Sequence, residues 1–157
     1  LDWTRDRLDE TDKHWLRELR IQRLIRDFTI VHATLDTPHK WGYVTSALDA
    51  AASFTYQHTN ICFIGHTHRP VVYVRDGSVS MQPFETLQIE KNKKYLVNVG
   101  SVGQPRDDDP RASYMLYDYK QHLLLHRRVP YDIARAQSRF EKADLPARNA
   151  RRIAKGQ

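Results

Sequence analysis

Apolar residues fall along this chain in short runs whose spacing alternates between the helical and the extended period. Trp15, Leu16 and Leu19 recur at helical spacing behind Asp9, which predicts a helix from about Glu10 to Leu19 with an aspartate cap. The runs Ile21 to Ile25 and FTIVH, Phe28 to His32, flank a polar Arg26-Asp27 and predict a strand pair. The alanine-rich SALDAAASFTY, Ser46 to Tyr56, predicts a helix with Leu48, Ala51, Ala52 and Thr55 on one face. Asn60 to Ile64 is nearly continuous in apolar character, as a central strand covered on both faces requires.

Beyond Pro70 the pattern becomes that of a strand-rich segment. Val71 to Val74 and Ser78 to Met81 flank Asp76-Gly77 and predict a hairpin. YLVNV, Tyr95 to Val99, predicts another strand and runs into the polar loop GSVGQPRDDDPR. Ala112 to Tyr119 and His122 to Val129 predict an antiparallel pair. From Tyr131 the helical period returns at Ile133, Ala136, Phe140 and Ala143, and Pro146 separates this helix from a short basic one. The order predicts a mixed sheet packed on a second sheet with helices outside, an α/β (α+β) class, with residues 1–157 as a single domain.

Composition narrows the partners. At 157 residues, with 40% hydrophobic and 28% charged positions, the chain is long enough for a real core. No apolar run approaches the roughly 18 residues of a membrane span, so no membrane partner is expected. One cysteine, Cys62, excludes an internal disulfide framework and predicts a buried, inert thiol and a cytoplasmic location. The net charge of +6 points first to nucleic acid. Residues 127–157, however, hold nine Lys/Arg against three Asp/Glu, so the whole excess lies in the tail. With no aromatic residues interleaved among Arg148, Arg151, Arg152 and Lys155, nucleic acid is not the expected partner.

The candidate chemistry lies in the histidines. His66 and His68 follow a strand directly in ICFIGHTHRP, and in extended backbone their side chains would share a face. Gly65 would give the turn room. His32 ends FTIVH as His66 follows the central strand, and strand ends at one sheet edge gather in a common crevice. His14, His39, His58, His122 and His126 lack such placement and are expected to be surface or structural. Asp107, Asp108 and Asp109 are expected to form a solvated turn, and Arg106 an exposed ion pair. NVGSVG contains neither a nucleophile–base pair nor a dinucleotide fingerprint.

FTIVHA, FIGHTHRP and NVGSVGQPRDDDPRASY, in this order, resemble the later motif blocks of the calcineurin-like metallophosphoesterase superfamily, nearest its small YfcE-type bacterial and archaeal members. The pattern there is V-H-[GA], G-H-[TS]-H-x-P and N-P-G-S-V-G. The resemblance implies the C-terminal part of a four-layer α/β/β/α sandwich with mixed and antiparallel strands. It implies hydrolysis of phosphomonoesters or phosphodiesters by hydroxide activated between two divalent ions, with manganese, iron, zinc and nickel as the candidates. His32 and His66 would ligate one ion and His68 the other. Ala33-Thr34 and Val99 depart mildly from the pattern.

The D-x-H, G-D and G-N-H-[DE] blocks of that family are absent. The first residue, Leu1, then suggests a piece of a longer enzyme lacking roughly its first third. Such a piece would bind metal poorly, would be inactive, and would expose strand edges that favour self-association. No catalytic or substrate-binding residue is assigned. The alternative is a non-catalytic anion- or nucleic-acid-binding module acting through Arg148, Arg151, Arg152 and Lys155.

Overall fold

The structure is a computed structural model that describes residues 2–157; Leu1, on which the fragment expectation rests, lies outside the described residues. The chain runs α1 (Asp2–Arg5), α2 (Glu10–Glu18), β1 (Gln22–Ile25), β2 (Phe28–Val31), a 3-10 turn (Pro38–Lys40), α3 (Ala47–Tyr56), β3 (Ile61–Ile64), β4 (Val71–Asp76), β5 (Ser78–Gln82), β6 (Thr86–Gln88), β7 (Lys94–Asn98), β8 (Ala112–Asp118), β9 (Leu123–Val129), α4 (Ile133–Lys142) and α5 (Ala147–Lys155). The pattern of apolar positions anticipates most of these. It misses α1 and β6, which at four and three residues are too short to show a period.

Two sheets form. The larger has the order β1-β2-β3-β7-β4-β5, and the smaller β6-β9-β8. Strands β2, β3 and β7 are parallel neighbours, while β1 joins β2, and β4 joins β7 and β5, in antiparallel pairs. The register sets Thr29 beside Cys62, and Cys62 beside Leu96. The three parallel strands therefore finish at one edge, which carries the residues that follow Val31, Ile64 and Asn98.

Alternation along the central strands divides the core in two. Cys62, Ile64, Tyr73 and Leu96 face α3, where they pack with Ala50 and Phe54. Ile61, Val72, Tyr95 and Val97 face the smaller sheet and pack with Ile89 and Leu124. A continuous apolar reading of β3 follows from being covered on both sides. Complete burial pushes the Cys62 thiol up to about 12, as an inert core cysteine requires.

The helical face predicted for α3 is the wrong one. Leu48 is 82% exposed, and the buried residues are Ala50, Ser53 and Phe54. A buried serine conceals the true face: Ser53 Oγ accepts from the Leu35 backbone N–H at 3.1 Å, which satisfies it in the core. The start of the helix is set by a capping box, in which Ser46 Oγ accepts from Asp49 N and Asp49 Oδ2 accepts from Ser46 N. The Asp9 cap of α2 is present, its carboxylate accepting from Asp12 N at 2.7 Å. No residue of α2 is buried, however. Helices α4 and α5 pack on each other, and the end of α5 meets the loop after β7, where Gly156 O accepts from Asp108 N at 3.0 Å.

Candidate metal centre

His32 leaves the end of β2, and Gly65-His66-Thr67-His68 leaves the end of β3. The pairing continues one step past the strands, since Gly65 N donates to His32 O at 2.9 Å. Beyond it the chain is not extended. His66 has φ 65° and His68 φ 60°, both in the left-handed region, where a side-chain-bearing residue pays roughly 1–2 kcal/mol. This kink separates the two imidazoles, contrary to the shared face expected of an extended turn. His66 Nδ1 lies 3.2 Å from His32 Nε2, while His68 Nδ1 lies 2.7 Å from Gln104 O and so donates to it. That hydrogen bond fixes the His68 tautomer and leaves Nε2 as its free donor atom. Nor is Gly65 needed for space. A Cβ there would sit 3.7 Å from His32 O, an ordinary contact.

The turn is held from below by Asn98, at the end of β7 and fully buried. Its Nδ2 donates to Gly65 O at 2.6 Å and to Thr67 Oγ1 at 2.8 Å, and its Oδ1 accepts from Gly100 N at 3.1 Å. Gly100 has φ 75°, and a Cβ there would approach Ser113 Cβ to 2.9 Å, so this position requires glycine. From the other side, Arg106 N donates to His68 O at 3.1 Å. Sequence reasoning passed over Asn98, although a polar residue ending an otherwise apolar YLVNV strand was a signal. It also passed over Tyr43, whose ring stacks on His66 with centroids 4.3 Å apart, and Trp41, 5.2 Å from the His32 ring.

Burial lowers the pKa of His32, and the neighbouring His66 and His68 lower it further. Burial likewise lowers that of His68; Arg106 and Arg152 add to this, and the Gln104 carbonyl opposes it. Both imidazoles are therefore neutral at pH 7, the form that offers a lone pair to a metal ion. Two nitrogens on one ion at about 2.0–2.1 Å each stand about 3.0–3.4 Å apart. The His32–His66 separation of 3.2 Å fits that requirement. The wider set does not: among the described residues no three His, Cys, Asp or Glu side chains come together as around a metal ion. The described residues thus offer two nitrogens 3.2 Å apart and a third imidazole near enough to act on His32, but no three-ligand cluster.

The other candidates are occupied elsewhere. Asp107 and Asp109 are not a free solvated turn, since Arg128 pairs with both and Arg111 holds Asp109 at 2.6 Å. Ser113 and His126 stand 3.0 Å apart, but Ser113 is 2% exposed and donates its proton to Val99 O. With Ser113 buried and Val99 O already beside its hydroxyl, the pair is a structural contact rather than an activated hydroxyl. No described helix is long and apolar enough to cross a membrane.

A mixed sheet whose parallel strands bring histidines to one edge, packed on a small antiparallel sheet, is the architecture of a metallophosphoesterase-type fold. Residues 5–122 match the calcineurin-like phosphoesterase superfamily domain, and the chain belongs to that family. Over 115 residues it is 34% identical to an uncharacterised protein of Methanocaldococcus jannaschii, a match covering 73% of this chain and 46% of that one. The crystal structure of a metallophosphoesterase from Sphaerobacter thermophilus superposes with a TM-score of 0.91 at 33% identity, covering 99% of this chain and 65% of that one. A hypothetical protein from Pyrococcus horikoshii OT3 shares the fold alone, with a TM-score of 0.73 at 15% identity, covering 97% of this chain and 57% of that one. The chain spans about half the length of the curated relative it matches.

Proposed function

We propose that this chain contributes the histidine portion of a metal-dependent phosphoesterase site, serving hydrolysis of phosphomonoesters or phosphodiesters, and that it is inactive without further ligands. The observation that carries this reading is the contact of His32 Nε2 with His66 Nδ1 at 3.2 Å, at the ends of adjacent parallel strands, in a chain of this family. His32 and His66 would hold one divalent ion, and His68 would present Nε2 on the other side of the turn. Manganese, iron, zinc and nickel all accept imidazole donors. When bound, such ions stabilise charge on a phosphoryl group and acidify water. This chain's own part is to keep two imidazoles neutral, to fix the His68 tautomer through Gln104 O, and to hold the turn rigid through Asn98.

Calorimetric titration of the chain with Mn2+ or Zn2+ tests the reading, with hydrolysis of p-nitrophenyl phosphate and bis(p-nitrophenyl) phosphate followed alongside. Weak binding that falls at least about tenfold in His66→Ala, with no hydrolysis above buffer, is expected. Tight binding indifferent to His66→Ala, or turnover that survives a chelator, would overturn it. The second reading is an anion- or nucleic-acid-binding surface on α5, where Arg148, Arg151, Arg152 and Lys155 are all exposed while Ala150 and Ile153 are buried. Binding through these residues would weaken steeply with salt and ignore chelator.

A further inference from the structure

Arg106 was expected to sit in an exposed ion pair. The structure gives it a different place. Among the described residues no carboxylate oxygen lies within 4.0 Å of its guanidinium: Asp107 Oδ2 and Asp109 pair with Arg128 and Arg111 instead, and Asp107 Oδ1 is itself buried without a partner. Its only side-chain partner is neutral, Gln104 Oε1, which accepts from Nη2 at 3.2 Å. Its Nε is buried and has no partner at all. A partly buried cation with an unmade hydrogen bond is costly unless an anion completes it.

The location says which anion. Arg106 N donates to His68 O at 3.1 Å, and Gln104 connects the two side chains, taking His68 Nδ1 on its backbone oxygen and Arg106 Nη2 on its amide oxygen. Gln104 Nε2 donates in turn to Gln157 O at 3.3 Å, which ties the end of the chain to the same loop. The guanidinium is therefore fixed beside the histidine turn and is near enough, with Arg152, to depress the His68 pKa. A planar guanidinium offers parallel N–H groups that match two oxygens of a phosphoryl group.

We propose that Arg106 is the phosphoryl-binding residue of this site, its guanidinium turning the unpartnered Nε–H, buried in the free chain, and its Nη groups to the non-bridging oxygens of the ester beside His68. This rests on the phosphoesterase reading for its substrate class, but the contact itself needs no metal. The experiment is accordingly run on chelator-treated protein, titrated with inorganic phosphate and read at the Arg106 Nε–H signal in proton–nitrogen correlation spectra. A saturable shift of that signal is expected, with phosphate affinity falling at least about tenfold in Arg106→Ala and less in Arg106→Lys, which keeps the charge and loses the fork. Arg23→Ala, at an exposed arginine on β1, is expected to leave the affinity within about twofold. An unresponsive Nε–H, an unchanged affinity in Arg106→Ala, or equal losses in Arg106→Ala and Arg23→Ala would overturn the assignment. Failure of Mn2+ or Zn2+ to depend on His66 would sink the metal reading alone and leave this result standing.

Discussion

A fully buried amide has to satisfy all its own polar atoms, and Asn98 does so by holding together three pieces of chain. Gly65 O and Thr67 Oγ1 accept its two protons, and Gly100 N donates to its oxygen. These bonds offset the backbone cost of two left-handed histidines, which nothing in the local sequence favours. Replacing Asn98 by Ala leaves a carbonyl, a hydroxyl and an amide N–H without their partner inside the core. The expected loss is about 2–4 kcal/mol, read as a lower urea midpoint with unchanged slope. The isosteric Asn98→Asp is expected to be destabilising as well, since a carboxylate has no proton for Gly65 O. A shift below about 0.5 kcal/mol in both variants would show that the turn is held by something else.

At the scale of elements, what was legible depended on whether an element's neighbours could be inferred from its own pattern. Strands β2, β3 and β7 were readable because burial on both faces writes an unbroken apolar run, and the same runs pointed to His32 and His66 at their ends. The turn conformation was not readable, because positive φ at His66 and His68 is imposed by Asn98 and Arg106, some 30 and 40 residues away in sequence. Helix α3 misled for a related reason: Leu48 and Ala50 compete for the core, and a buried Ser53 bonded to Leu35 N decides between them. This makes opposite expectations for two neighbouring positions. Leu48→Glu should change stability by less than about 0.5 kcal/mol, whereas Ser46→Ala, which removes the cap, should cost about 1 kcal/mol. Thermal unfolding of the two variants measures both, and a larger loss from Leu48→Glu would return the helix to its first orientation.

For the molecule as a whole, the apolar surface left uncovered matters more than the core. An open cleft of about 550 Å³ runs between the two sheets, lined by Phe28, Phe63, Val102, Met115 and Tyr117 among others. Strand β8 forms one edge of the smaller sheet, and α2 leaves Trp15, Leu16 and Leu19 exposed on a helix that buries nothing. Exposed apolar patches and open strand edges favour association with further chains. Opposing this is the net charge of +6, which repels a second copy. The two forces respond differently to salt: at 0.1 M the charges are screened beyond about 10 Å, while apolar contact is unaffected or strengthened. Self-association is therefore expected to grow with both protein concentration and salt in sedimentation equilibrium. Trp15→Lys with Leu16→Lys, which removes apolar area from α2 and adds like charge, should lower the associated fraction without changing the fold. Association that weakens as salt rises would mean that charge pairing, not apolar contact, joins the copies. A monomer at every concentration and salt would mean that the cleft and the α2 face are stable in water as they stand.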